Sequence, residues 1–285
     1  MTDDIRTEAI RLYDRFTHGA MERRDFMTRM VALTGSVAAA NLLIGTIAAK
    51  ADAAPRTDPR EKRLTIGDQT IAGTRAYVAE PRTRSLKPTV LVVHENRGLN
   101  EHTRDVARRV ALAGYRAVAA DFLTPLGGTP ADEDKARDMI GKLDLAATTR
   151  SGVAMLADLA RSSRAGKVGA VGFCWGGAYV GRLAVAAGKA LGAGVVYYGP
   201  QPDPAEASKV EAPLLFHLAG LDDRVAATAW PFVAALGKTG KTISANNYAG
   251  VNHAFNNDTS AERYNKAAAD LAWKRTLDFL GLTLG

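Results

Sequence analysis

The chain has 285 residues, 47% hydrophobic and 24% charged, and a formal net charge of +7. That length and composition suit one large α/β core and exclude wholesale disorder. Its cations are scattered, with no basic run interleaved with aromatics, which argues against nucleic acid as a partner and modestly for an anionic small molecule.

Residues 1–53 read as an export leader standing apart from the fold. Glu22-Arg23-Arg24-Asp25-Phe26-Met27 resembles a twin-arginine signal, and an apolar stretch from Met30 to Ala49 follows. Ala49-Lys50-Ala51 and Ala51-Asp52-Ala53 both fit a small-x-small cleavage pattern. The implied partner is an export machinery and the implied compartment the periplasm, with no stable membrane span left after cleavage. The alternative is an uncleaved anchor through residues 30–49, since about 20 residues cross a bilayer. Thr34, Gly35, Ser36, Asn41 and Gly45 leave that stretch only moderately hydrophobic, which favours the leader. The charged, helix-like lead from Thr2 to Glu22 is longer than most leaders carry.

Ala54 to Arg60 reads as a linker. Arg63 to Ile66 and Thr70 to Ala79 form a hairpin turning at Gly67-Asp68. Thr89 to His94, TVLVVH, is a β-branched run of the kind covered on both faces. A helix with Thr103, Val106, Val110 and Ala113 on one face closes at Gly114, and Tyr115 to Ala120 is the next buried strand. Helices follow over Ala131 to Leu143 and on to about Ser162. Further strands cover Ala193 to Tyr198, Ala212 to Leu218 and Thr242 to Tyr248; helices cover Ala227 to Leu236 and Ala261 to Leu280. Short strands alternating with helices behind a leading hairpin predict an α/β-hydrolase fold: a mostly parallel central sheet with helices on both faces, over residues 54–285.

The chemistry centres on KVGAVGFCWGGAYVGRL, Lys167 to Leu183. A short apolar strand, the tight turn Gly172-Phe173-Cys174-Trp175-Gly176 and a helix spell a nucleophile elbow with a thiol in place of the commoner serine. A helix N-terminus favours thiolate over thiol. Cys174 is the chain's one cysteine, so it forms no internal disulfide and has no resolving partner for a redox switch. The α/β-hydrolase order of nucleophile, acid and histidine is met by Cys174, by Asp222 or Asp223 after one strand, and by His253 after the last. Asp222 sits closer to its strand end and is preferred. Backbone N–H groups of Trp175 and Asn96 would form the oxyanion hole.

GFCWGG, HENRGLNEHTRDVARRVALAGYRAVAADFLTP, AGLDDRV and AGVNHAF together resemble the dienelactone hydrolase family over about residues 60–285. The resemblance implies hydrolysis of small lactones or esters by a cysteine, with no metal or cofactor. It casts Cys174, Asp222 and His253 as the triad, and Glu95 as the carboxylate that holds the resting thiol. Family members acting on dienelactone bind its carboxylate with two arginines. Arg137 maps to one; at the other, the stretch His253-Ala254-Phe255-Asn256-Asn257 has asparagine, so the native substrate is predicted to differ from dienelactone. Arg97 offers an alternative anion contact, against the simpler reading of an exposed arginine. His94 and His217 read as satisfied core histidines; His102, with Glu101 and Asp105, shows no metal-ligand pattern. Trp175 could wall the pocket, Trp230 and Trp273 read as helix packing, and Tyr197 and Tyr198 end a strand beside the site. The competing reading is a catalytically idle binding protein on the same fold.

Overall fold

The computed structural model describes residues 3–19, 21–48, 56–83, 88–163, 166–260 and 262–285. Three helices come first, α1 (Asp3–Thr17), α2 (Arg23–Thr34) and α3 (Val37–Ala48). The hairpin β1 (Leu64–Ile71) and β2 (Thr74–Pro81) leads into β3 (Thr89–Val93), α4 (Glu101–Leu112) and β4 (Arg116–Ala120). Then come α5 (Glu133–Ile140), α6 (Leu145–Ser162), β5 (Val168–Phe173), α7 (Trp175–Ala186) and β6 (Ala193–Tyr197). The chain ends with β7 (Leu214–Ala219), α8 (Asp223–Lys238), β8 (Ile243–Tyr248) and α9 (Lys266–Leu284).

The strands form one sheet in the order β1-β2-β4-β3-β5-β6-β7-β8, antiparallel through β1, β2 and β4 and parallel from β4 to β8. All five residues of β3 and all six of β5 are buried, because helices sheathe both faces. Val106 and Val110 of α4 pack with Ala272 and Leu280 of α9 on one face. Leu156 of α6, Val180 of α7 and Phe232 of α8 pack on the other. The predicted α/β-hydrolase architecture is the one observed.

The hairpin turn departs from expectation. Gly67 and Asp68 lie inside β1, and the chain reverses at Ala72 and Gly73, with φ of 48° and 78°. Two successive left-handed residues give the twist that a two-residue hairpin needs. Strand β1 is an edge strand exposed from Gly67 to Thr70, so nothing there penalises an extended Gly-Asp pair. Part of the predicted linker is anchored too: the Thr57 N–H donates to Asp105 of α4 at 2.8 Å. The last helix starts later than predicted, where Asn265 caps it by accepting from the Ala268 N–H.

Residues 3–19 and 21–48 pack on the sheet's carboxyl edge around a small core of their own, which includes Ile10, Tyr13, Phe26, Met30 and Leu43. Asp14 of α1 meets Arg263 at 3.0 Å, and both side chains are largely buried. The predicted cleavage motifs, residues 49–53, lie outside the described residues.

Candidate active site

The chain turns the sheet order around at β3, with β4 on one side and β5 on the other. Crevices at such switch points, beyond the carboxyl ends of the strands, are where open α/β sheets place their sites. Glu95 follows β3 and Cys174 follows β5. Cys174 has φ 55° and ψ −113°, a strained backbone that lifts its side chain above the turn. The flanking glycines are steric necessities. A Cβ at Gly172 would lie 2.1 Å from the Gly176 carbonyl oxygen, and one at Gly176 would lie 2.5 Å from the Val93 and His94 carbonyl oxygens.

His253 Nδ1 donates to Asp222 Oδ2 at 2.5 Å, and Asp222 Oδ1 accepts from the Val225 N–H at the start of α8. Asp223 is exposed, so the geometry separates the two neighbouring aspartates. Burial raises the Asp222 pKa, but the His253 charge and hydrogen bond prevail and hold it at about 2. Burial likewise lowers the His253 pKa; the charges of Asp222 and Cys174 outweigh that and push it to about 10. His253 Nε2 is buried with no hydrogen-bond partner among the described residues. A ring nitrogen of His253 lies within 4.8 Å of the Cys174 sulfur.

The sulfur's hydrogen bond runs elsewhere, to His18 Nε2 at 3.0 Å, from the turn after α1. The glutamate expected to hold the thiol is engaged otherwise: Glu95 accepts from Tyr198 Oη at 3.1 Å and from Asn257 Nδ2 at 2.9 Å. Asn257, in the stretch where an arginine was sought, therefore ties down Glu95. Tyr198 stacks edge-on against His253, and burial, followed by the Glu95 charge, pushes its phenol well above the usual range.

Cys174 borders two cavities. One of about 80 Å³ also touches Tyr13, His18, Glu95, His253 and Arg263. The other, about 760 Å³, is lined by His18, Asn96, Arg137, Trp175 and Arg224. Trp175 and Asn96, the proposed oxyanion-hole residues, thus share a space with the sulfur, and Trp175 begins α7, whose first N–H groups lack helical partners. Arg137 reaches the larger cavity while pairing with Asp134 at 3.1 Å; Arg97 borders the smaller one and pairs with Asp134 at 2.7 Å. His94 and His217 are core histidines as expected. His94 accepts from the Phe122 N–H, and His217 bonds Tyr248 and Thr276.

Comparison with known proteins matches residues 74–284 to the dienelactone hydrolase family. The chain belongs to that family. Residues 1–33 match a separate, YqhI-like family. A carboxymethylenebutenolidase of Pseudomonas putida is 31% identical over 72% of this chain and 89% of its own length. A putative carboxymethylenebutenolidase of Saccharolobus solfataricus is 29% identical over 75% and 95% respectively. A putative dienelactone hydrolase structure from Klebsiella pneumoniae superposes with a TM-score of 0.68 at 26% identity, covering 76% of this chain and 98% of that one. This dienelactone hydrolase family member is therefore a lactone or ester hydrolase by family.

Sequence reasoning missed His18, Asp14, Arg224 and Arg263. The first two lay in a segment read as a leader. A signal was present: Ile10, Tyr13 and Thr17 repeat at helical spacing, the mark of a helix with one covered face.

Proposed function

We propose that the protein hydrolyses small carboxylic esters or lactones through Cys174, His253 and Asp222. The observation that carries this reading is the hydrogen-bonded Asp222–His253 pair beside a cysteine in a strained elbow turn. The sulfur attacks the carbonyl carbon, and the N–H groups of Trp175 and Asn96 receive the oxyanion. The imidazolium of His253 protonates the leaving oxygen, and Asp222 stabilises that cation throughout. Water then attacks the thioester with His253 as base, and the acid departs.

Arg137 and Arg224 border the larger cavity, which favours substrates carrying an anionic group; the missing second arginine favours an acid other than dienelactone. Short-chain p-nitrophenyl esters and a lactone panel test the reading. Hydrolysis by the wild type and none by Cys174→Ala is the expected result; full activity in Cys174→Ala refutes it, and inactivity of the wild type on every ester and lactone favours the idle binding protein.

Export through a twin-arginine route is proposed on Arg23 and Arg24, both exposed, and on the apolar α3. Among the described residues no single helix is long and apolar enough to cross a membrane, though α2 and α3 qualify as a pair bent by 106°. Fractionation of cells, with Arg23→Lys/Arg24→Lys as control, tests export. A protein that stays with the cytosol in both cases removes that reading.

A further inference from the structure

We propose that the N-terminal helices are a working part of the active site and that His18 is a catalytic residue, the base that takes the Cys174 proton. This rests on the cysteine-hydrolase reading and extends it, and it requires that residues 1–53 remain attached in the working enzyme, so it excludes their removal as a leader. His18 Nδ1 donates to the Asp14 carbonyl oxygen at 2.6 Å, which fixes the tautomer and leaves Nε2 with a lone pair. That Nε2 stands 3.0 Å from the sulfur, within reach for proton transfer. Glu95 is bound to Tyr198 and Asn257, and His253, held through Nδ1 by Asp222, has an unpartnered Nε2 that makes no hydrogen bond to the sulfur among the described residues; His18 is the side chain hydrogen-bonded to it.

The segment is held in place and leaves room for substrate. The Asp14–Arg263 ion pair and the Arg6–Glu262 pair fasten α1 to the loop before α9. With α1 seated, the cavity of about 760 Å³ still opens on Cys174, within the range of ordinary ligand pockets. A plug would fill that space. The charged and titratable groups facing His18 are Asp14 and, from the hydrolase, Cys174, His253, Arg224 and Arg263. Burial, then the charges of His253 and Arg224, keep the imidazole neutral, whereas the Asp222 carboxylate beside His253 favours its cation while Cys174 is still a thiol. A neutral His18 has a lone pair on Nε2 to accept the thiol proton, and a protonated His253 has a proton to give.

The steps balance. The thiol proton passes to His18 Nε2 as the S–C bond forms and the carbonyl π pair moves to oxygen. When the oxyanion collapses the C–O bond breaks, and the alkoxide takes the His253 proton. Water attacks the thioester, His253 recovers a proton, the S–C bond breaks, and the thiolate is reprotonated from His18.

The test uses the full chain with p-nitrophenyl acetate, comparing wild type, Cys174→Ala, His18→Ala and His18→Gln, each checked by thermal melting. His18→Ala should lose about 10²–10³-fold in kcat with KM little changed. Added imidazole should restore at least tenfold of it, and His18→Gln should stay slow. Iodoacetamide should alkylate Cys174 more slowly in His18→Ala at pH 6–7. The proposal is overturned if His18→Ala equals or exceeds the wild type, or if His18→Gln restores activity. It is also overturned by a fully active processed chain beginning beyond residue 53. Persisting activity in Cys174→Ala instead sinks the cysteine reading itself.

Discussion

Replacing Asp222 with asparagine keeps the side-chain shape and a carbonyl acceptor for His253 Nδ1 while removing the charge. In the wild type His253 titrates at about 10, against an ordinary value of 6.5. The proton it binds therefore stabilises the fold in full below pH 6.5, and that stabilisation disappears as pH rises towards 10. A gap of about 3.5 units corresponds to ~5 kcal/mol, with a slope of up to about 1.4 kcal/mol per pH unit across that window. Asp222, held at about 2 against 3.8, contributes above pH 3.8 and loses its contribution as pH falls towards 2. In Asp222→Asn, burial of His253 is unopposed by a carboxylate, the imidazole stays neutral, and the slope above pH 6.5 vanishes. The leaving group then lacks its cationic acid, so kcat/KM should fall about 10³–10⁴-fold. Urea unfolding at pH 6.5, 8 and 9.5, alongside ester hydrolysis over the same range, measures both. A wild type whose stability is flat from pH 6.5 to 9.5, or a variant within tenfold of wild-type activity, refutes the reasoning.

Gly176→Ala forces a Cβ to 2.5 Å from two backbone oxygens of the β3 end, so α7 must shift by nearly 1 Å. Activity should fall about 10²-fold and stability by about 1–3 kcal/mol, read by kinetics and melting. Asp14→Ala leaves the largely buried Arg263 without its ion-pair partner, with Ser260 Oγ as its remaining hydrogen-bond partner among the described residues. It should cost about 3–5 kcal/mol locally and expose α1 to limited proteolysis before the hydrolase domain is cut. Arg137→Ala should raise KM about tenfold for a carboxylate-bearing ester while leaving a neutral ester of the same length unchanged, as initial rates on the two would show.

Local pattern carried most of the fold. The β-branched run of β3, the glycines around Cys174 and the alternation of strands with helices each answer to steric or burial constraints confined to a few neighbouring residues. That Cys174, Asp222 and His253 each follow a strand was legible too, although of those strands only β5 and β7 are buried throughout and β8 is half exposed. The tertiary structure alone decided three matters. It put Asp222 rather than Asp223 in contact with His253, because Asp222 caps α8 with one oxygen on the Val225 N–H and turns the other to the imidazole. It bound Glu95 to Tyr198 and Asn257, from loops 103 and 162 positions away. And it seated His18 on Cys174, 156 residues apart, because a charged helix with one covered face does not show in its sequence which surface that face will meet.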